Sequence, residues 1–149
     1  MTQAQRIRLS RAKGFRLPAN AVNVARPGRW GNPFVVGKHG TRAQCAAKFY
    51  VLARGFVAFS EPDISVDAQL TVYRRIRRHA ADLAGHDLAC WCALDGEPCH
   101  GDVLLMLANP GHPAPAWLRA GVDLPRVRLG MDIKTIEKLN RRKARPEAE

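Results

Sequence analysis

Reactive side chains are concentrated in residues 88–107, which read LACWCALDGEPCHGDVLLML. Three of the chain's four cysteines and one of its five histidines lie in this segment. Thiolate and imidazole groups are the ligands that zinc prefers in proteins. The set of Cys90, Cys92, Cys99 and His100 therefore predicts a zinc site. Its spacing differs from the usual zinc knuckle, in which about two to four residues separate paired cysteines.

A predicted strand over residues 86–92 carries the first two cysteines. Because side chains alternate along a strand, Cys90 and Cys92 would share one face and Trp91 would point to the other. Cys99 and His100 then open the next predicted helix, and both can bind one metal only if Cys99 still lies in the loop. A site that uses three of the four groups and keeps one position open is typical of catalytic zinc.

Two metal-free interpretations of the same segment remain open. Cys99 is at the predicted start of a helix, where exposed amides and the helix dipole lower a thiol pKa. His100 or Asp102 can accept its proton, which makes Cys99, His100 and Asp102 candidate catalytic residues. Alternatively, Cys90 and Cys92 are small core residues of a buried strand.

A second unusual segment is the Gly- and Pro-rich loop over residues 26–34, with the sequence RPGRWGNPF. Arg26 and Arg29 offer forked donors that suit phosphate or carboxylate. Trp30 can stack on a base, and is equally compatible with anchoring the loop in the core. Asn32 is a candidate hydrogen-bonding contact to the ligand.

The start of the first predicted helix offers a generic anion site. Thr41 is the predicted N-cap, and Arg42 follows it at the helix N-terminus. The segment lacks the Gly and Lys spacing of a phosphate-binding P-loop. We therefore expect Thr41 and Arg42 to contact an anionic ligand without nucleoside triphosphate hydrolysis.

The charge of the chain is strongly asymmetric. The chain of 149 residues carries a formal net charge of +11, and residues 1–60 contain eleven Lys and Arg with no Asp or Glu. Residues 61–149 contain thirteen basic and thirteen acidic residues. A one-sided positive potential attracts polyanions, so nucleotide or nucleic acid is the expected partner, against the alternative of a merely solvated basic face.

The pattern of apolar residues predicts an α/β fold: one three-layer-like domain with a short mixed, partly parallel sheet, Rossmann-like in part. In such sheets ligands bind at the carboxyl ends of the strands, where both unusual segments lie. Cys45 is a predicted core residue of the first helix. We expect the α/β domain over residues 1–110, and a Pro-rich connection with a basic C-terminal helix or tail over residues 111–149. The predicted elements are strands at 6–9, 21–25, 34–37 and 86–92, and helices at 42–54, 67–83, 101–109 and 132–145.

The composition excludes a membrane protein and a disulfide framework. No segment approaches the roughly 18 apolar residues that a membrane span needs, and the N-terminus carries charge without an apolar core. Four cysteines without an even framework of spacings favour metal, catalysis or packing in a reducing compartment. The expectation is a soluble, cytoplasmic protein of a bacterial or phage-infected host cell.

Four stretches resemble the motifs of an uncharacterised small domain family that is common in bacteriophage and prophage genomes. The motifs lie at residues 8–18, 29–34, 40–42 and 85–109, so the resemblance covers about residues 6–110. That family carries a domain-of-unknown-function label, so the resemblance implies a phage-related context and no particular reaction.

The leading functional hypothesis is a nucleotide- or nucleic-acid-acting protein of hydrolase or transferase type, with a zinc or reactive-thiol site. One alternative is a non-catalytic, zinc-stabilised module that binds DNA or RNA. Another is a phage-encoded inhibitor of a host protein. Catalysis would require Cys99 or His100, whereas a binding module would depend steeply on salt.

Overall fold

A computed structural model describes residues 3–59, 61–120 and 129–144 of the chain. The described strands are β1 (Arg6–Arg8), β2 (Ala21–Asn23), β3 (Phe56–Ala58), β4 (Asp87–Cys90) and β5 (Leu129–Asp132). The described α-helices are α1 (Arg42–Ala53), α2 (Val66–His79), α3 (His100–Ala108), α4 (Ala116–Arg119) and α5 (Ile133–Ala144). A short 3-10 helix, Ala80–Leu83, continues α2.

Three strands form a parallel sheet in the order β1-β4-β2. Leu88 and Ala89 of the central strand are fully buried, as expected for an apolar strand covered on both faces. The predicted α/β class and the parallel pairing are confirmed. The finer Rossmann-like comparison and the division at residue 110 stay predictions.

Helix α1 begins and ends where the sequence predicts. The Thr41 hydroxyl accepts from the Gln44 amide, and the Gln44 side chain accepts from the Thr41 amide, which completes a capping box. Gly55, with a φ of 103°, follows the helix in a conformation that disfavours other residues. Cys45 is buried against Phe34 and Leu52, so the predicted core position is confirmed.

The predicted strand over residues 34–37 is wrong. The Phe34 amide donates to Asn32 Oδ1 at 3.0 Å, and the Val35 amide donates to His39 Nδ1 at 2.8 Å. A turn closed by Gly37 N and Gly40 O, 2.8 Å apart, follows. Because side chains and a turn already bond these amides, they are not available to a neighbouring strand.

A second, two-stranded sheet was not predicted. Strands β3 and β5 pair antiparallel. The sequence pattern predicted a simple connection over residues 56–63, and no strand directly before the helix predicted at 132–145. Ile133 and Ile136 of α5 are buried in the same cluster as Leu52 and Val57, so the C-terminal helix packs against the α/β domain. The tail beyond Ala144 lies outside the described residues. No described helix is long and apolar enough to cross a membrane.

Candidate functional site

The site lies at the carboxyl ends of the three parallel strands. Past the end of β1, the Leu9 amide donates to the Cys90 carbonyl at 2.9 Å, and past β2 the Val24 amide donates to the Ala89 carbonyl at 2.9 Å. These bonds hold the three outgoing chains side by side. The residues that follow each strand therefore meet at one edge, which is where parallel sheets bind ligands.

Two thiols and an imidazole converge at this edge. The Cys90 and Cys99 sulfurs and a ring nitrogen of His100 all lie within 4.8 Å of one another. Cys99 is the N-cap of α3, with an extended backbone (φ −144°, ψ 141°), so it meets the condition that it still lies in the loop. In tetrahedral zinc sites the sulfurs are about 3.8 Å apart, so this group needs only a small adjustment to hold a metal.

His100 is oriented by backbone hydrogen bonds and by an aromatic ring. Its Nε2 lies 2.8 Å from the Val24 carbonyl, and the Phe49 ring packs edge-on against the imidazole with centroids 5.2 Å apart. Because a carbonyl only accepts, Nε2 donates this bond, and the imidazole also makes a hydrogen bond with the Trp30 backbone. Burial lowers the pKa of His100, so the ring is neutral at pH 7.

The cysteine sulfurs share protons. Hydrogen bonds from Cys92 and Cys99 lower the pKa of Cys90 to about 2, with help from the nearby Arg6 charge and against the effect of burial. The same bond to Cys90, a further bond to Cys92 and burial raise the pKa of Cys99. The lowering expected for Cys99 at the helix start is therefore not found, because its proton is shared with a neighbouring sulfur. Without metal, the hydrogen bonds favour ionisation of Cys90 over Cys99.

Cys92 occupies the mouth of the site. Strand β4 ends at Cys90, so the predicted alternation through Trp91 and Cys92 does not hold. The Cys92 amide donates to the Cys90 sulfur, and its thiol bonds to the other two cysteines. Cys92 is half-buried, whereas Cys90 and Cys99 are buried. Its sulfur is not in the group whose ligating atoms lie within 4.8 Å of one another, so the structure brings together three of the four predicted ligands and Cys92 stays a candidate fourth ligand.

Two arginines hold the turn over residues 92–98. Arg6, whose side chain is only 7% exposed, donates to the Cys92 carbonyl at 2.8 Å and the Ala93 carbonyl at 2.6 Å. Arg42 donates at 2.8 to 3.2 Å to the carbonyls of residues 93, 97 and 98, and at 3.0 Å to Asp95. Burial of Arg42 opposes its charge, but its hydrogen bond to Asp95 and the electrostatic effect of Asp95 and the nearby cysteines raise its pKa overall.

Replacing Arg42 with lysine is expected to lower the free energy of unfolding by about 1.5–3 kcal/mol, because one ammonium cannot reproduce the forked bonds to the turn. Chemical denaturation measures the effect. The control is Arg77→Ala, which removes an exposed arginine of α2 and should change stability by less than about 0.5 kcal/mol. Equal stability of the Arg42→Lys variant and the unaltered chain would contradict the bracing role.

Asp102, the predicted catalytic carboxylate, is engaged elsewhere. Its Oδ2 accepts from the Trp117 indole at 3.0 Å, and its Oδ1 lies 3.4 Å from Arg6 Nε. Its catalytic role stays a prediction, and the geometry links it to the arginine that holds the turn. Arg6 was not selected by sequence reasoning, because its partners lie more than eighty residues away in the chain.

Several side chains of the loop over residues 26–34 pack or form hydrogen bonds within the protein. Trp30 is buried in the main core. The Asn32 amide group donates to the Cys45 carbonyl at 3.1 Å, and Asn32 itself is buried. Thr41 caps α1. The ligand-binding roles of Trp30, Asn32, Thr41 and Arg42 stay predictions, and each side chain already has a structural role.

The two arginines of this loop line different clefts. Arg26 lines a cleft of about 140 Å³ whose floor contains Cys90, Cys99 and His100. Arg29 lines a groove with arginines of α2, and its carbonyl accepts from Arg75 at 2.5 Å. Among the described residues, no carboxylate pairs with Arg26. Arg26 is thus the arginine best placed to meet an anion above the thiols.

A second group with metal-type ligands consists of His39, Glu61 and Asp63. His39 accepts the Val35 amide through Nδ1, and its Nε2 lies 2.8 Å from Asp63 Oδ2. Lys48 forms an ion pair with Glu61 and donates to the His39 carbonyl at 2.6 Å. Both ring nitrogens of His39 have protein partners, so this group braces the loop after residue 34.

The fold and the site define a small α/β domain that gathers thiols and an imidazole at the carboxyl edge of a parallel sheet. The chain belongs to the family described as a domain of unknown function, DUF4326, whose model matches residues 7–110. This confirms the predicted membership of an uncharacterised family, and it assigns no reaction. No significant match was found among curated proteins or among solved structures.

Proposed function

We propose that the protein binds one zinc ion and acts as a hydrolase or group transferase on a nucleotide or nucleic acid. The observation that carries the proposal is the convergence of Cys90, Cys99 and His100 on the floor of a cleft lined by Arg26. From the family resemblance, we also propose a phage-related context and a cytoplasmic location. These settings suit the reduced state of the cysteines.

The ligand set favours zinc with an open position. Cys90, Cys99 and His100 supply three ligands from the sheet edge and the start of α3, and their ligating atoms lie within 4.8 Å. The fourth side faces the cleft, where Cys92 is half-buried. Zinc with an open position activates water, so the site would not need a free carboxylate as its base.

The charge around the cleft favours an anionic substrate. Arg6 and Arg42 have their donors directed at the turn, but Arg26 is exposed at the cleft without an ion pair among the described residues. The guanidinium fork suits a phosphate group. A phosphate at Arg26 would place the rest of a nucleotide over the thiols.

A non-catalytic zinc module that binds DNA or RNA is the second candidate. The contacts of Cys92 with Cys90 and Cys99 favour it, because a fourth thiolate would close the metal site. The engagement of Asp102 with Trp117 also favours it. In that case the metal would stabilise the turn and the basic half of the chain would bind the partner.

Replacing Cys92 with alanine separates the two functions. For an open catalytic site, we expect the variant to keep one zinc per chain, measured by elemental analysis of protein purified without chelator. For a closed structural site, we expect the zinc content to fall well below one. If the unaltered chain purifies without zinc, the metal proposal is wrong.

The phosphate contact is tested through salt dependence. Binding of a labelled single-stranded oligonucleotide is measured by fluorescence anisotropy over a range of salt concentrations. Arg26→Ala is expected to reduce the slope of log affinity against log salt by about 0.7, the value for one phosphate contact on a single strand. Arg77→Ala is the matched control. An unchanged slope for Arg26→Ala would remove Arg26 from the binding site.

A further inference from the structure

We infer that Trp91 is the stacking platform of the cleft and that the ligand is a nucleobase carrying a phosphate. This inference rests on the proposed function and names its substrate class. The sequence suggested Trp30 for stacking and placed Trp91 on the face opposite the cysteines. The structure reverses these positions, since Trp30 is buried and Trp91 lines the cleft with Cys90 and Cys92.

Trp91 is exposed enough for a ligand ring to pack against its indole. Its relative exposure is 43%, in contrast to 8% for Trp30. Val36, which is 52% exposed, lines the same cleft from the loop after residue 34. Two exposed apolar side chains thus line a cleft whose floor carries thiols and an imidazole. A planar apolar ring with polar edges fits such walls, and nucleobases have this character.

A cation accompanies the indole. The Arg11 guanidinium lies 5.0 Å from the centroid of the Trp91 ring. Arginine over an indole gains from the negative face of the ring, and the same guanidinium can contact a phosphate. An aromatic ring beside an arginine is the combination that proteins use to bind single-stranded nucleic acids.

The loop that carries Arg11 is basic and fully exposed. Residues 11–20 are all exposed, and the loop holds Arg11, Lys13 and Arg16 with no acidic residue. Gly14, with a φ of 85°, lies in the turn at the start of the loop. A single-stranded nucleic acid with one base stacked on Trp91 would have its phosphates beside this loop. A free mononucleotide would reach only the residues at the start of the loop.

Trp91 is the tryptophan whose fluorescence should report ligand binding, because the other two are engaged within the protein. Trp30 is buried in the core, and the Trp117 indole donates to Asp102. Fluorescence quenching on addition of oligothymidylate is therefore expected to arise from Trp91. Trp91→Phe should abolish that quenching and keep part of the affinity, since phenylalanine still offers an aromatic face.

The decisive test compares Trp91→Ala with the control Leu94→Ala. Leu94 is 60% exposed in the same turn and does not line the cleft. Trp91→Ala is expected to weaken oligothymidylate binding by about tenfold or more, with zinc content unchanged, and Leu94→Ala should bind as the unaltered chain does. If the unaltered chain binds and Trp91→Ala binds equally well, the stacking inference is wrong and the proposed function stands. If the unaltered chain binds neither oligothymidylate nor thymidine monophosphate, the stacking inference and the proposed function are both wrong.

Thymidine monophosphate separates the two sources of the ligand. If the mononucleotide binds nearly as tightly as oligothymidylate, and both depend on Trp91, the ligand is a free nucleotide. If only the oligonucleotide binds, and both Trp91→Ala and Lys13→Ala weaken its binding, the ligand is a single-stranded nucleic acid that follows the loop. Either result supports stacking on Trp91.

Discussion

Cys90→Ala is expected to eliminate bound zinc and to lower the free energy of unfolding by several kcal/mol. The Cys90 sulfur lies within 4.8 Å of the ligating atoms of both Cys99 and His100. Because a metal held by this group binds the folded chain and not the unfolded one, loss of a ligand removes stability together with the metal. Elemental analysis and thermal unfolding with and without a chelator measure the two effects.

Cys45→Ala is the matched control for this prediction. Cys45 is also buried and lines the same cleft, yet it is not part of the ligand group. Its replacement should cost only the packing of one small side chain, about 1 kcal/mol, and should leave one zinc per chain. A Cys90→Ala variant that keeps its zinc, or a Cys45→Ala variant that loses it, would contradict the assigned ligand set.

Gln69→Leu is expected to lower the free energy of unfolding by about 2–4 kcal/mol without changing the amount of zinc bound per folded chain. Gln69 is completely buried in α2. Its Oε1 accepts from the Ala58 amide at 2.9 Å, and its Nε2 donates to the Ala58 carbonyl at 2.8 Å and to the Ile64 carbonyl at 3.3 Å. Leucine has nearly the same size but leaves the two backbone groups of Ala58 buried without a partner.

Denaturant unfolding of the zinc-loaded protein measures this loss. Thr71→Val on the same helix is the control, because the exposed Thr71 hydroxyl only bonds the Asp67 carbonyl one turn earlier. It should change stability by less than about 0.5 kcal/mol. Equal stability of Gln69→Leu and Thr71→Val would show that the bonds between α2 and β3 contribute little.

Local patterns predicted the elements well where the local chain decides the structure. The capping pair of Thr41 and Gln44 and the following Gly55 bound α1 as expected. Cys99 is the N-cap of α3, as its place before the apolar run indicated. In contrast, the strand predicted at residues 34–37 failed because Asn32 and His39, at both ends of the segment, bond its amides. Apolar character alone does not report such bonds.

The composition of the candidate metal site and its place at the carboxyl ends of parallel strands followed from the sequence alone. Cysteine and histidine next to a predicted strand and helix start identify the ligand types, and the chirality and pairing of α/β units identify the edge. The basic character of the first half of the chain also needed no structure. These properties depend on residue type and on neighbours in the chain.

Only the tertiary structure decided which side chains face the site and which are already engaged. Arg42 and Asn32 looked free to bind a ligand, but carbonyl groups from distant parts of the chain accept their hydrogen bonds. Arg6 was overlooked for the same reason, and Trp91 turned toward the cleft because β4 ends at Cys90, two residues before the predicted end of the strand. The physical reason is that hydrogen-bond partners and side-chain directions beyond a strand end depend on contacts between distant segments, which residue spacing does not encode.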